Sequence, residues 1–231
     1  MSFMIDGIML ANSRRSGFVI RLRLMRILDW LKNVSGRKIL IYADFIDPFC
    51  YIGFHALRPL AEARGIALEW RGFELNPDTP PDGFSLVTAA NSDLRPGMWA
   101  SVQGLARSAG LEFPEPRWVP NTRKAHALLQ GVKNPAVKNP LIERIYQAYF
   151  TGLKDIGRRE VLMELTGAFS IPSEQVQAAL SDPRITETPR ARQIEAQRRN
   201  FMGMPGFVYQ GKNHFGALSQ GAWETILARR N

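Results

Sequence analysis

The chain contains a single cysteine, Cys50, among its 231 residues. One cysteine excludes a disulfide within the chain and a structural zinc site built from several cysteines. It also fits a reducing compartment, so we expect a cytoplasmic location. No apolar run approaches the roughly 18 residues that a membrane-spanning helix needs. The histidines lack metal-ligand spacing, and there is no Gly-rich phosphate loop. We therefore predict neither a metal ion nor an integral membrane segment.

The positive charge of the chain is concentrated at its start. The formal net charge is +9, but residues 1–38 hold eight basic residues against two acidic ones. The remaining 193 residues carry a net charge of only +3. A nucleic-acid-binding domain needs a basic face on the folded domain itself. The distribution therefore argues against nucleic acid as a partner.

Residues 1–36 form a basic N-terminal extension that can be interpreted in three ways. Arg14 and Arg15 resemble the start of an export signal, but Arg21, Arg23 and Arg26 interrupt the apolar run that such a signal requires. The extension is therefore a poorly ordered leader, an amphipathic helix for an anionic membrane surface, or an arm that docks a partner.

The pattern after residue 37 predicts a strand, a helix and a second strand. Ile39 to Phe45 is a short buried apolar run, and Ile66 to Phe73 is another. Between them, Asp47 to Arg64 has apolar residues at helical spacing, with Pro59 as an expected kink and Gly65 as an expected C-terminal cap. A βαβ unit of this kind normally pairs its strands in parallel.

The rest of the chain predicts a loop, a long helical block and a ββα ending. Residues 84–200 have helical patterns and no convincing strand, and Ser173 is an expected helix cap. A hairpin follows, with Gly206 to Tyr209 as its first strand, and Ser219 caps a final helix. We expect four segments: the extension at 1–36, a first part of the α/β fold at 37–75, a helical insertion at 76–200 and a second part of the fold at 201–231.

The segment Asp47-Pro48-Phe49-Cys50 stands where the predicted helix begins. Asp is a favoured N-cap and Pro is favoured at the first helical position, so Asp47 is expected to accept the Cys50 amide. A strand, a turn and a helix that starts at a Cys-bearing motif is the layout of a thioredoxin-type redox site. Such a site normally has two cysteines, and here Asp47 occupies the position of the first.

Two opposed effects act on Cys50. The start of a helix stabilises a thiolate and lowers its pKa, whereas the Asp47 carboxylate disfavours a second negative charge and raises it. The sequence leaves open a weakly reactive thiol and an inert, buried one. Near the other end, Met204-Pro205 precedes a strand, and local sequence alone favours a trans bond there because few X-Pro bonds are cis.

Four segments resemble the DsbA-like thioredoxin superfamily, in the branch shared with 2-hydroxychromene-2-carboxylate isomerases and kappa-class glutathione transferases. The resemblance covers roughly residues 37–230. The segments occur in the family's order, and they are 44–53 around Asp47, Pro120-Asn121-Thr122 with Ala125-His126, Ala148-Tyr149-Phe150 with Asp155-Ile156, and 203–208 around Pro205.

This resemblance implies an α/β thioredoxin-like fold, βαβ followed by ββα, with a large all-helical insertion. It implies a cis bond at Pro205 and a substrate groove between that loop and the first helix. The catalytic candidates are then Cys50 and Asp47. The expected substrate-binding residues are Pro48, Phe49, Met204, Pro205, Asn121 and His126.

The residue at position 47 differs from those that support the two activities of the family. The dithiol branch has the attacking cysteine there, and the isomerase branch commonly has serine, which supports the glutathione thiolate. Our first hypothesis is an oxidoreductase-like protein that uses Cys50 as a single thiol. The alternatives are a glutathione-dependent isomerase or transferase, with glutathione as cosubstrate, and a non-catalytic peptide-binding module. A homodimer is compatible with each.

Overall fold

The structure is a computed structural model, and it describes residues 37–86, 95–132, 134–182 and 188–228. Residues 1–36, the N-terminal extension, lie outside the described residues, so the three interpretations of it remain predictions. The strands are β1 Lys38–Ala43, β2 Ala67–Gly72, β3 Phe84–Ser85, β4 Trp118–Val119, β5 Gly206–Tyr209 and β6 Lys212–Phe215. The α-helices are α1 Pro48–Ala63, α2 Arg95–Ser108, α3 Arg123–Gly131, α4 Pro135–Tyr146, α5 Arg159–Gly167, α6 Ser173–Ser181, α7 Thr188–Arg198 and α8 Gln220–Ala228.

The central sheet has four strands in the order β2-β1-β5-β6. β1 pairs in parallel with β2, and antiparallel with β5, which forms a hairpin with β6. The parallel pair follows from the crossover through α1, and the hairpin from its two-residue turn, Gln210-Gly211, with both φ angles positive. The sheet thus brings the two ends of the described chain together.

Helices cover both faces of this sheet. Ile39 and Ile41 on β1 and Phe207 on β5 point into the main core, which also holds the buried faces of α1 and α8 and most of the helical block. Tyr42 and Val208 alternate to the other face, where they pack with Ala196 of α7. The period-two alternation of each strand therefore separates the two layers.

Several sequence predictions are confirmed. The βαβ unit, the helical block and the ββα ending are present, so the fold is the thioredoxin-like α/β fold with helices inserted after β2. Gly65 follows α1 with φ of 60°, as expected of a C-terminal cap. The Ser219 hydroxyl accepts the Ala222 amide at 3.3 Å at the start of α8.

Three predictions need correction. The block at 84–200 does contain strands, because β3 and β4 form a small antiparallel pair. Two-residue strands are too short to leave a periodic pattern. Ser173 is the first residue of α6 and makes no capping bond, since Pro172 occupies the cap. The helix expected through Phe150 changes to π-helical geometry at Gln147–Thr151.

No helix in the described ranges is long and apolar enough to cross a membrane.

Substitution of Gly65 tests how α1 ends, and Gly104 provides a comparison inside a helix. Gly65→Ala should lower the free energy of unfolding by about 1 kcal/mol, because alanine is strained at positive φ. Gly104, inside α2, has open space where a Cβ would stand, so Gly104→Ala should raise stability by up to about 1 kcal/mol. Urea unfolding measures both. A stabilising Gly65→Ala would contradict the assigned cap.

Candidate functional site

Asp47 caps the helix that carries Cys50. Its Oδ1 accepts the Phe49 amide at 2.9 Å, and Pro48 occupies the first helical position, where a missing N–H costs nothing. The expected donor was the Cys50 amide, and the structure places the donor one residue earlier, with the Cys50 amide making a smaller contribution to the carboxylate.

The second carboxylate oxygen of Asp47 binds the only cysteine. The Cys50 Sγ donates to Asp47 Oδ2 at 3.1 Å. Cys50 is 0% exposed, and Asp47 is 6% exposed. The motif therefore encloses one thiol and one carboxylate, joined by a hydrogen bond, at the start of α1.

Burial decides the electrostatics of this pair. It raises the pKa of Asp47 to about 6, against the lowering effect of the hydrogen bonds from Cys50 and Phe49, and the charge of Asp44 raises it further. Burial, with the Asp47 charge as the next cause, raises the pKa of Cys50 well above its ordinary value. At neutral pH the thiol keeps its proton and the carboxylate is largely ionised.

The Pro205 loop lies against α1 one turn after Cys50. A Cβ built on Gly53 would be 3.1 Å from Pro205 Cγ, so only a small residue at position 53 lets the loop approach this closely. The Met204–Pro205 peptide bond is cis, and the half-buried Met204 contacts the core. The structure thus brings together Asp47, Pro48, Phe49, Cys50 and the Met204–Pro205 loop.

His126 lies behind this motif, in the core. Its Nε2 is 3.1 Å from Asp44 Oδ1, and its Nδ1 accepts the Trp70 indole N–H at 3.4 Å. The side chain of His126 is 0% exposed. Both ring nitrogens are occupied by protein partners, which leaves neither for a substrate.

Asn121 holds a loop in place. Its Nδ2 donates to the Thr79 carbonyl at 2.7 Å, and its Oδ1 accepts the Arg123 amide at 3.1 Å. Asn121 therefore ties the start of α3 to the segment that follows β2. Its role as a substrate-binding residue stays a prediction, as it does for Pro48, Phe49 and Met204.

Three residues of the site were missed by sequence reasoning. Asp44 directly follows β1 and is buried, and a polar residue directly after a buried strand was a signal that could have pointed to it. Trp70 on β2 and Tyr146 at the end of α4 gave no local signal. The Tyr146 hydroxyl donates to the Asp44 carbonyl at 3.1 Å, and this contact depends entirely on the tertiary fold.

A family profile described as DSBA-like thioredoxin domain matches residues 38–228. The chain belongs to the DsbA-like thioredoxin family. The uncharacterized protein YwbO of Bacillus subtilis (strain 168) is 24% identical over 194 residues, which cover 82% of this chain and 95% of YwbO. The aligned region thus covers nearly the whole length of that relative.

Solved structures of DsbA-like proteins share the fold. The probable DsbA oxidoreductase SCO1869 from Streptomyces coelicolor has a TM-score of 0.70 at 24% identity, over 83% of this chain and 88% of that one. A 2-hydroxychromene-2-carboxylate isomerase has a TM-score of 0.68 at 17% identity, over 82% and 94%. The cytosolic disulfide reductase DsbM from Pseudomonas aeruginosa, solved with GSH, has a TM-score of 0.62 at 16% identity, over 82% and 96%.

One pocket of this DsbA-like protein lies away from this site. It has a volume of about 780 Å³ and lies between the segment around Trp118 and the segment Tyr149–Asp155. None of its lining residues belongs to the motif at Asp47 or to the Pro205 loop. Within the described ranges, no three His, Cys, Asp or Glu side chains are grouped as a metal site.

The raised pKa of Asp47 makes stability depend on pH. A carboxyl whose pKa is about 6 when folded and 3.8 when unfolded stabilises the fold below about pH 4. That stabilisation, about 3 kcal/mol, is lost as the pH rises through about 6. Asp47→Asn keeps a good cap without the charge, so it should raise the free energy of unfolding at pH 7.5 by about 1–3 kcal/mol and change little at pH 4.

Urea unfolding at both pH values measures this difference. Asp155→Asn is the matched control, because the half-buried Asp155 also accepts the amide two residues on, that of Gly157, at 2.9 Å. The gain in stability between pH 4 and pH 7.5 should be larger for Asp47→Asn than for this control. An Asp47→Asn variant that is less stable than wild type at pH 7.5 would contradict the assignment of a buried charge.

Proposed function

We propose that this DsbA-like protein uses a bound thiol, glutathione, to isomerise or conjugate a small electrophile, with Asp47 as the proton acceptor for that thiol. The observation that carries the proposal is the hydrogen bond from the 0% exposed Cys50 to Asp47 Oδ2. In this hydrogen bond the Cys50 thiol keeps its proton and acts as the donor. Asp47 is then the group of the pair that can take a proton near neutral pH.

Cys50 is poorly suited to disulfide exchange. The thiolate is the nucleophile in that reaction, and it must reach the other sulfur atom. Cys50 is fully buried and burial raises its pKa, so the folded protein offers neither a thiolate nor access to it. The geometry thus favours the glutathione-dependent alternative over the single-thiol hypothesis.

Asp47 has the properties of a general base for a thiol. Its pKa of about 6 lies near the pH at which it would act, as efficient proton transfer requires. A carboxylate accepts up to about four hydrogen bonds, so the two from Phe49 and Cys50 leave room for a donor from a ligand.

The energy of the transfer is modest. Moving a proton from a thiol of pKa about 8.5 to a carboxylate of pKa about 6 costs about 3 kcal/mol. The start of α1 offsets part of this, since a helix N-terminus stabilises a negative charge by about 0.3–2 kcal/mol. After transfer Asp47 is neutral, so the repulsion between a carboxylate and a thiolate no longer arises.

The chemistry balances without an oxidant or a metal. The glutathione S–H gives its proton to Asp47, and the thiolate adds to an electrophilic carbon of the substrate, forming a C–S bond. Where the substrate is a conjugated alkene, this addition leaves a carbanion. Rotation about the former double bond and expulsion of the thiolate, which takes its proton back from Asp47, return glutathione and the isomer. Transfer of the Asp47 proton to the carbanion instead gives the conjugate.

Two relatives of similar fold support this proposal. One is the 2-hydroxychromene-2-carboxylate isomerase and the other is DsbM, solved with GSH. We expect glutathione to bind between the start of α1 and the Pro205 loop, which packs against α1 at Gly53.

Glutathione binding in a Cys50→Ala background tests the proposal, because any thiolate formed must then belong to glutathione. Reduced glutathione added at pH 7 should give a saturable but fractional thiolate absorbance in the ultraviolet, because transfer of the proton to Asp47 is uphill by about 1–3 kcal/mol. The double variant Cys50→Ala, Asp47→Asn should lose at least about nine-tenths of that signal, since the proton acceptor is gone. S-Methylglutathione is the control ligand, because it can occupy the groove but has no proton to give.

Two results would contradict the proposal. One is an equal thiolate signal in the double variant, and the other is no binding of glutathione at all. Rapid formation of a mixed disulfide between wild-type Cys50 and oxidised glutathione would instead support the single-thiol hypothesis. Binding of an extended peptide with no glutathione affinity would support the non-catalytic module.

A further inference from the structure

Asp44 is a buried carboxylate three residues before Asp47. Its Oδ1 accepts the Phe45 amide at 2.7 Å and its Oδ2 accepts the Leu75 amide at 2.6 Å. The third contact is His126 Nε2, at 3.1 Å from Oδ1. Three donors around one carboxyl group match an ionised carboxylate, which only accepts hydrogen bonds.

Trp70 determines which nitrogen of His126 carries the proton. An indole N–H can only donate, so His126 Nδ1, at 3.4 Å from Trp70 Nε1, must be the acceptor. The proton of the neutral ring is then on Nε2, which donates to Asp44. A doubly protonated ring would place a second N–H against the indole N–H, so the contact disfavours the cation.

The ring of His126 cannot turn away from these partners. A Cβ on Gly72 would be 2.6 Å from His126 Nδ1 and 2.9 Å from its Cγ, so the ring fills the space beside this glycine. Phe45 lies across both aromatic groups, at 5.0 Å from the Trp70 ring and 5.1 Å from the His126 ring. The arrangement is therefore rigid on both sides of the imidazole.

We propose that Trp70, His126 and Asp44 form a positioning unit for the Asp47–Cys50 pair. Trp70 holds His126 neutral, and the negative charge of Asp44 therefore stays uncancelled beside Asp47. This inference rests on the proposed function only because it takes Asp47 as the functional group whose pKa the three residues influence. None of the three residues needs to touch a substrate, since they act through the charge that Asp47 experiences.

The groups that face Asp47 come from three elements. Cys50 is on the same helix and donates to it, and Asp44 follows β1 and repels its negative charge. Tyr146 at the end of α4 is fully buried, and its hydroxyl is bonded to the Asp44 carbonyl at 3.1 Å. Asp44 is the negatively charged member of this set, so cancelling its charge removes a repulsion that raises the pKa of Asp47.

Replacing Trp70 by phenylalanine tests the unit. Trp70→Phe keeps an aromatic ring against Phe45 but removes the indole N–H, so His126 becomes free to take a second proton and neutralise Asp44. The midpoint of the Asp47 titration, followed by the carboxyl ¹³C shift, should then fall by about one pH unit from its wild-type value. Trp99→Phe is the matched control, because the Trp99 indole N–H has no hydrogen-bond partner among the described residues, and its midpoint should equal wild type.

A second variant and a second measurement complete the test. His126→Gln can still donate to Asp44 and accept from Trp70 while remaining uncharged, so it should retain the wild-type midpoint. In the wild-type protein, ¹⁵N spectra of His126 at pH 7 should show the neutral ring with its proton on Nε2, as the contacts with Trp70 and Asp44 require. A His126 cation at pH 7, or equal midpoints in Trp70→Phe and Trp99→Phe, would overturn the inference. Loss of glutathione binding alone would overturn only the proposed function.

Discussion

A thiol and a carboxylate share a hydrogen bond in a water-poor site at the start of α1, and the properties of the site follow from that contact. Taking both groups out of water raises the pKa of each, and the bond orders them, with the proton on Cys50 and the charge on Asp47. The usual chemistry of the fold depends on a thiolate at this point. Here the negative charge is on oxygen, and for this reason we propose that the site takes a proton from another thiol.

The rest of the fold holds that contact in place. β1 ends at Ala43, and the chain then turns through Asp44 before Asp47 begins the helix. β5 returns beside β1 and carries the Pro205 loop to Gly53, one turn after Cys50. Behind the turn, the buried His126 and the half-buried Trp70 fix the surroundings of Asp44. The site therefore depends on residues that come from both ends of the described chain and from the helical block.

The sequence predicts local features well and tertiary ones poorly. The cap at Asp47, the parallel β1–β2 pair and the β5–β6 hairpin all have local signals, namely N-cap chemistry, apolar runs and a glycine turn. The burial of Cys50 is different, because opposed local effects on its pKa left its reactivity open until the packing was known. His126 was an expected substrate-binding residue, but its position against Gly72 and Trp70 requires a contact between α3 and β2 that no local pattern encodes. The short strands β3 and β4 were not predicted for a related reason, because two residues are too few to show a periodic pattern.

Whether Cys50 reacts as a thiol in the folded protein tests the central claim most directly. The rate of its reaction with a water-soluble aromatic disulfide would be measured from about pH 5 to 9, a range that spans the ordinary thiol pKa of about 8.5, in the native protein and again after unfolding in urea. The account predicts a native thiol that stays unreacted across this range and reacts at once when the chain unfolds. A native Cys50 that reacts rapidly at pH 7 would mean that the thiolate is present and accessible. That result would contradict the assignment of Asp47 as the reactive group and support the single-thiol hypothesis for Cys50.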